Sequence, residues 1–447
     1  MKRKYFASGL MLILLILTWL LPLILPVSAL APQDLPSTEG ANSVYLCHLE
    51  SNQVLLRKNA EASIAPASTV KMMTGLLAIE RYGNRLEDSV ILTEEMVKGI
   101  SGTSMKLSVG MHITVKDLLY GTLCGGYNDA AQSLAILCEG SVSSFVAKMN
   151  DRAHQLGMMQ TNYTNPTGWD DPAMTTTLRD VALLSKEAWK NGLYTTISSK
   201  SSYTFYHSAK QESVTIFNRN AMVSGYYATG YLNSRATGLI AGMTDAGGYC
   251  VASCIEYDGT NYLCVVMGAE EKNGEIYSYK IANDLLNFMV RNYSYRQICA
   301  QGAEICNLPI RLAASGVKED NANLPCYIAT DLYAVLPDTA DIKNDLEYRY
   351  YFHESEWNAP IQKGTVVGGV DIYFEDENIA STKLIAGKSE DANPILLFLE
   401  QTKAFLLGRF FLLSLTFFVI LLVLDWFLFE KNHRSLKARK IQYKNFY

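Results

Sequence analysis

The stretch PASTVKMMTGLLAIE, Pro66 to Glu80, sets a serine and a lysine three residues apart at the head of an amphipathic run. Val70, Met73 and Leu77 recur on one face of a 3.6-residue period, which predicts a helix. With Pro66 just ahead, Ser68 opens that helix and Lys71 lies one turn on, on the same face. A serine hydroxyl is a weak nucleophile and needs an adjacent base. A lysine amine can serve when burial lowers its pKa toward neutrality, because desolvation disfavours the charged form. Amides at the helix start can stabilise an oxyanion. The same spacing also fits an N-capping serine followed by an ordinary lysine, so the flanking sequence has to decide.

Outward from this stretch, helical periods alternate with short strands. VKDLLYGTLCGG and NDAAQSLAILCEG each end in glycine, as helices often do. SVYLCHLESNQVLLRKN predicts a hairpin around Glu50-Ser51-Asn52, and two further strands flank Asp258-Gly259. Strands at both ends with helices between predict an α+β domain, helices packed on an antiparallel sheet. Near Tyr295 the pattern changes. From Ile298 to Ile385 it becomes short alternating strands, CYIATDLYAVLP, LEYRYYFHES and GTVVGGVDIYFED, a small all-β module. The expected division is 38–294 for the α+β domain, 295–388 for the β module and 389–404 for a linker or short helix.

Both ends of the chain are apolar. Lys2, Arg3 and Lys4 precede an apolar run that closes in Ser28-Ala29-Leu30-Ala31, the pattern of a signal peptide over 1–31, cleaved or kept as an anchor. A second run over 405–429 is long enough to cross a bilayer, and the basic tail 430–447 follows. The positive-inside rule puts that tail in the cytoplasm and the main domains outside. A net charge of -5 in 447 residues argues against nucleic acid as a partner. The nine cysteines lack zinc-site spacing and the six histidines lack H-E-x-x-H, so neither a metal nor another cofactor is expected. Most cysteines sit in apolar runs as buried thiols. A bridge between Cys299 and Cys306 is open in an exported protein, although the odd total forbids complete pairing.

The order PASTVKMMTGLLAIE, LSVGMHITVKDLLYGTLCGGYNDAAQSLA and MNDRAHQLGMMQTNYTNPTGWDD resembles the D-alanyl-D-alanine carboxypeptidases among the low-molecular-mass penicillin-binding proteins. The match runs over roughly Ser43 to Asn287, and the module containing NAPIQKGTVVGGVDI looks like that family's C-terminal domain. The resemblance implies a β-lactamase/transpeptidase-like fold. It further implies peptidoglycan stem peptides as substrate, β-lactams as acylating inhibitors and a bacterial cell-membrane location. It assigns the nucleophile to Ser68, the general base to Lys71 and a substrate contact to Asn128.

Two family motifs are incomplete. The S-x-N element falls on Gly126-Tyr127-Asn128, so its serine is replaced by glycine, and Tyr127 should point its hydroxyl elsewhere. The K-T-G element falls on Ile240-Ala241-Gly242 within GLIAGMTDAGGYC, Gly238 to Cys250. Arg235 is too far upstream to replace that lysine. The family's lysine and threonine hold the terminal carboxylate of the stem peptide, and a hydrogen bond to such a charge is worth about 1.5–3 kcal/mol. Loss of the relay serine typically costs roughly 10²–10⁴ in rate. The expectation is therefore a weakened hydrolase acting through acyl-Ser68, which the triple change Gly126→Ser, Ile240→Lys and Ala241→Thr should strengthen. The alternative is a non-catalytic relative that binds peptidoglycan or wall-synthesis partners.

Overall fold

The computed structural model describes residues 35–315 and 322–444, with side chains as far as Arg434. The signal sequence expected from the sequence lies outside these residues, as do the last three residues of the basic tail.

Five strands build the main sheet of the first unit: β1 (Ala41–His48), β2 (Val54–Lys58), β3 (Ala236–Thr244), β4 (Gly248–Tyr257) and β5 (Thr260–Ala269). They form one antiparallel sheet in the order β2-β1-β5-β4-β3. The β4–β5 turn carries Asp258 and Gly259 at φ 51° and 72°, the left-handed pair that a tight hairpin requires. Strands from opposite ends of the domain therefore lie side by side, as the α+β reading predicted.

The helices come from the middle of the sequence. A single 3₁₀ turn (Ala67–Thr69) leads into α1 (Val70–Tyr82), which packs against α2 (Val115–Leu123) and α3 (Asn128–Glu139). Thr114 and Asp117 form a reciprocal capping box that starts α2, and Gly140 at φ 77° ends α3. Helix α4 (Leu178–Lys190) lies against β1 and β5, and α5 (Tyr277–Asn292) against β4 and β5. Met72, Met73, Leu76, Leu118, Leu119 and Leu134 fill the core between α1 and its neighbours. This packing fixes where α1 begins, and that end carries the serine and the lysine.

The second unit is dominated by a six-stranded sheet. Its strands β6 (Glu304–Arg311) and β7 (Ala322–Ile328) pair antiparallel, with Leu308 opposite Leu324 and Cys306 opposite Cys326. The partner across from Cys306 is thus Cys326 rather than Cys299. Beyond the sheet, Asn393 caps α6 (Pro394–Leu407), where the sequence suggested a linker or short helix. Gly408 leaves helical geometry, and α7 (Arg409–Lys444) begins just after it. The segment Arg409–Arg434 is long and apolar enough to cross a membrane, with a mean hydropathy of 2.5. The apolar run read from Phe405 is therefore split by Gly408 between two helices.

Candidate active site

Ser68 sits in the 3₁₀ turn rather than in α1 itself. The residue before it, Ala67, has φ 48°, an unusual left-handed value for a residue with a β-carbon. Such a conformation survives only where the surroundings enforce it. Here they do so by contact. A β-carbon on Gly168 would meet the Ala67 carbonyl oxygen at 2.0 Å, and one on Gly242 would meet Ser68 Oγ at 2.5 Å. The loop before Trp169 and the backbone of β3 thus grip the turn from two sides. This explains why glycine stands at position 242: no larger residue fits against the serine.

Lys71 lies one turn on and is 1% exposed. Its Nζ is 3.3 Å from Ser68 Oγ and donates a 2.6 Å hydrogen bond to the Thr167 carbonyl oxygen. Burial, with a smaller contribution from the Arg219 charge, lowers its pKa to about 7. Near neutrality much of this amine is uncharged, and its lone pair can take the Ser68 proton. The Thr167 carbonyl is held by an Asn165 side chain that accepts from the Thr167 and Gly168 amides and from the Thr167 hydroxyl. Thr167 was not singled out from the sequence, although it lies in the quoted NPTGW stretch.

Asn128 opens α3 and is 5% exposed. Its Nδ2 donates to the Ser101 carbonyl at 2.7 Å, which fixes the amide, while its Oδ1 is buried without a partner. Asn128 lines the cleft, and an acceptor there without a partner is free to take an N–H donor that reaches it. Gly126 adopts φ 63°, so a serine here would be strained in the left-handed region. The Tyr127 ring folds back over Gly125 and lines no part of the cleft, as its position in the motif led us to expect.

The opposite wall differs from the expectation. Ile240 is 2% exposed and belongs to the hydrophobic core, so it does not face the cleft. Ala241 and the backbone of Gly242 and Met243 supply that edge. The cleft, of about 290 Å³, is lined by Ser68, Lys71, Asn128, Thr167, Trp169 and Arg219 among others. Arg219 is the cation that sequence reasoning missed, and the carboxylates Asp170 and Asp245 line the same cleft. Its Nε donates to the Gly125 carbonyl at 3.1 Å, and its guanidinium lies 4.5 Å from the centroid of the Tyr227 ring. A β-carbon on Gly126 would stand 3.4 Å from Arg219 Cδ, so the bare glycine and the arginine share one side of the site. Arg235 instead stacks over Tyr257 at 5.5 Å and takes no part in the cleft.

A base beside a serine, an amide acceptor and a cation in one cleft are the groups that serine acyl transfer calls for. Residues 30–271 match the D-alanyl-D-alanine carboxypeptidase family, and residues 293–392 match the penicillin-binding protein 5 C-terminal domain. The chain belongs to the D-alanyl-D-alanine carboxypeptidase family. It is 26% identical over 386 residues to the D-alanyl-D-alanine carboxypeptidase DacF of Bacillus subtilis, covering 84% of this chain and 93% of that one. It is 27% identical to DacA of Escherichia coli over 77% of this chain and 82% of the relative. Penicillin-binding protein 5 of Haemophilus influenzae superposes with a TM-score of 0.62 at 24% identity, covering 80% of this chain and 99% of that structure. That likeness carries the fold.

Proposed function

We propose that this chain is an extracytoplasmic serine D-Ala-D-Ala carboxypeptidase, held to the cell membrane by Arg409–Arg434, that removes the terminal D-alanine of peptidoglycan stem peptides. The observation that carries the reading is Lys71: fully buried, with its pKa lowered to about 7, and 3.3 Å from Ser68 Oγ in a cleft that also holds Arg219. The weakness expected from the missing K-T-G lysine assumed a cleft wall without a cation. Arg219 supplies one from another part of the chain.

The proposed reaction uses the groups that line the cleft. The substrate's terminal carboxylate pairs with the Arg219 guanidinium, and its amide N–H donates to Asn128 Oδ1. The Ser68 hydroxyl attacks the penultimate carbonyl carbon while its proton passes to Lys71 Nζ. Collapse of the tetrahedral intermediate breaks the C–N bond, and the proton on Lys71 goes to the leaving amine of D-alanine. Water then attacks the acyl-Ser68 ester and loses its proton to Lys71, which passes it to Ser68 Oγ as the ester bond breaks and the shortened peptide leaves. Gly126 offers no hydroxyl to relay the proton to the leaving nitrogen, so Lys71 or a water molecule must bridge that gap. This keeps the first step slower than a serine at position 126 would allow, by roughly 10²–10⁴ if the relay is general acid catalysis. The same serine would accept β-lactams as acylating agents.

The alternative, a non-catalytic protein that binds peptidoglycan or wall-synthesis partners, draws support from the side chains missing at Gly126 and Ala241. The deciding measurement pairs release of D-alanine from a pentapeptide with labelling by a fluorescent penicillin, for the native chain and for Ser68→Ala. Release and labelling that both vanish in Ser68→Ala are expected. No Ser68-dependent label and no D-alanine would leave only the binding reading. Labelling without release would mean that the substrate is a different acyl donor.

A further inference from the structure

We infer that Cys306 and Cys326 are joined by a cross-strand disulfide in the exported protein, a covalent staple within the β module. The inference rests on the proposed placement outside the cytoplasm and is independent of the catalytic cleft.

The register alone brings the two residues into range. Cys306 on β6 is paired directly with Cys326 on β7, and two residues further on Leu308 is paired with Leu324. Directly opposed residues of an antiparallel pair have Cα atoms about 4.5 or 5.5 Å apart, depending on the hydrogen-bonding position. Both values fall within the range of roughly 4.4–6.8 Å found across disulfides. The side chains also share a face. Leu308, Leu324 and Cys326 are all fully buried, and strand alternation puts Cys306 on the same side as Leu308. The two thiols are close enough to share a hydrogen bond.

No other pair of cysteines among the described strands has this relation. Cys47 faces Leu263, and Cys254 faces Leu263 from the other side. These two thiols are therefore separated by a whole strand, about 10 Å, beyond what a disulfide can span. Cys264 stands between Leu46 and Ser253. The remaining buried thiols lie in the core, where oxidants do not reach. Cys306 is half-buried and so can be approached, whereas Cys326 is sealed behind it. That arrangement sets the order of events. The Cys306 thiolate attacks the disulfide of an extracytoplasmic oxidant protein, which releases one oxidant sulfur as a thiolate and leaves a mixed disulfide. The Cys326 thiolate then attacks Cys306 Sγ and expels the second oxidant sulfur. The two protons given up by the cysteines end on the oxidant's two thiols, which is thereby reduced by two electrons.

The test uses the full chain in membranes of a host that exports it. Thiols are trapped with a maleimide in acid and denaturant, and peptides are mapped before and after reduction, with external protease confirming which side the domains face. The expected result is one linked species joining the Cys306 and Cys326 peptides, lost on reduction, with the other seven cysteines alkylated. Cys306→Ser and Cys326→Ser should each abolish it and lower the unfolding midpoint of the β module by about 10 °C or more. Two alkylated thiols in chains whose domains face outward would overturn the inference. Domains found inside would overturn the placement instead. In that case purified chain in an oxidised/reduced glutathione mixture decides: a 306–326 link formed ahead of all others supports the inference, and any other first pair refutes it.

Discussion

The two walls of the cleft were built in different ways. On one, Ser68, Lys71 and the Thr167 carbonyl are a local assembly whose central pair is three residues apart on a single turn and a helix start. On the other, Ala241 and Gly126 stand where hydroxyls were expected, Ile240, at the position expected to carry an ammonium, is buried in the core, and the cation in the cleft is Arg219. The serine–lysine pair is in place while, in the reading proposed above, the substrate carboxylate is met by Arg219 instead of by the K-T-G strand. A site can thus lose its recognition motifs without losing the charge those motifs supplied, because a carboxylate responds to where a cation is and not to which strand bears it.

The largest effect belongs to the serine–lysine wall. Ser68→Ala should lower penicillin acylation and D-alanine release by on the order of 10⁴–10⁶. Lys71→Ala should cost about 10²–10⁴ in kcat, since it removes the general base. The pH profile sharpens this point. Because the folded pKa of Lys71 is lowered to about 7, its base form prevails above that pH, and acylation should decline as pH falls through about 7. A profile flat from pH 6 to 8 would remove Lys71 as the base. Gly242→Ala, where the new β-carbon would press on Ser68, should displace the nucleophile and cost roughly 10² in kcat with little change in KM.

The Arg219 wall should show smaller effects of another kind. Arg219→Ala should raise KM by about 10- to 100-fold, the loss of one charge-assisted contact, with kcat far less affected. An unchanged KM would mean that the substrate's carboxylate is held elsewhere, and the two-wall comparison would fail. Smallest is Tyr227→Ala, which frees the guanidinium from its ring and should raise KM a few-fold, with Tyr227→Phe restoring it. The triple change expected from the sequence to restore activity meets an obstacle at Gly126, whose φ of 63° a serine adopts only under strain. The double change Ile240→Lys with Ala241→Thr is the cleaner form of that experiment.

Much of this was legible in the sequence because it is local. A helix period places Lys71 over Ser68 whatever the rest of the chain does, and the hairpins announce themselves at Asn52 and at Asp258-Gly259. Asn128 was legible only through the family resemblance, as the surviving residue of the S-x-N element. Arg219 was not, since nothing in the segment NRNAM shows that a loop will lay its side chain beside residues far earlier in the chain. Ile240 was misread for a related reason. Strand alternation gives a residue its face of the sheet, but not whether that face at that depth opens to a cleft or closes on a core. The break at Gly408 was also invisible to a hydropathy count, which sees one apolar run and not the two helices that share it.

Gly242 leaves the serine with no room to retreat. Because bare backbone is pressed against the hydroxyl, Ser68 cannot swing toward the sheet, and its freedom is confined to the side from which an acyl group must arrive. Such a nucleophile is cocked by its neighbours before any substrate is present. Whatever the Arg219 wall comes to recognise, the attacking oxygen will meet it from the same direction.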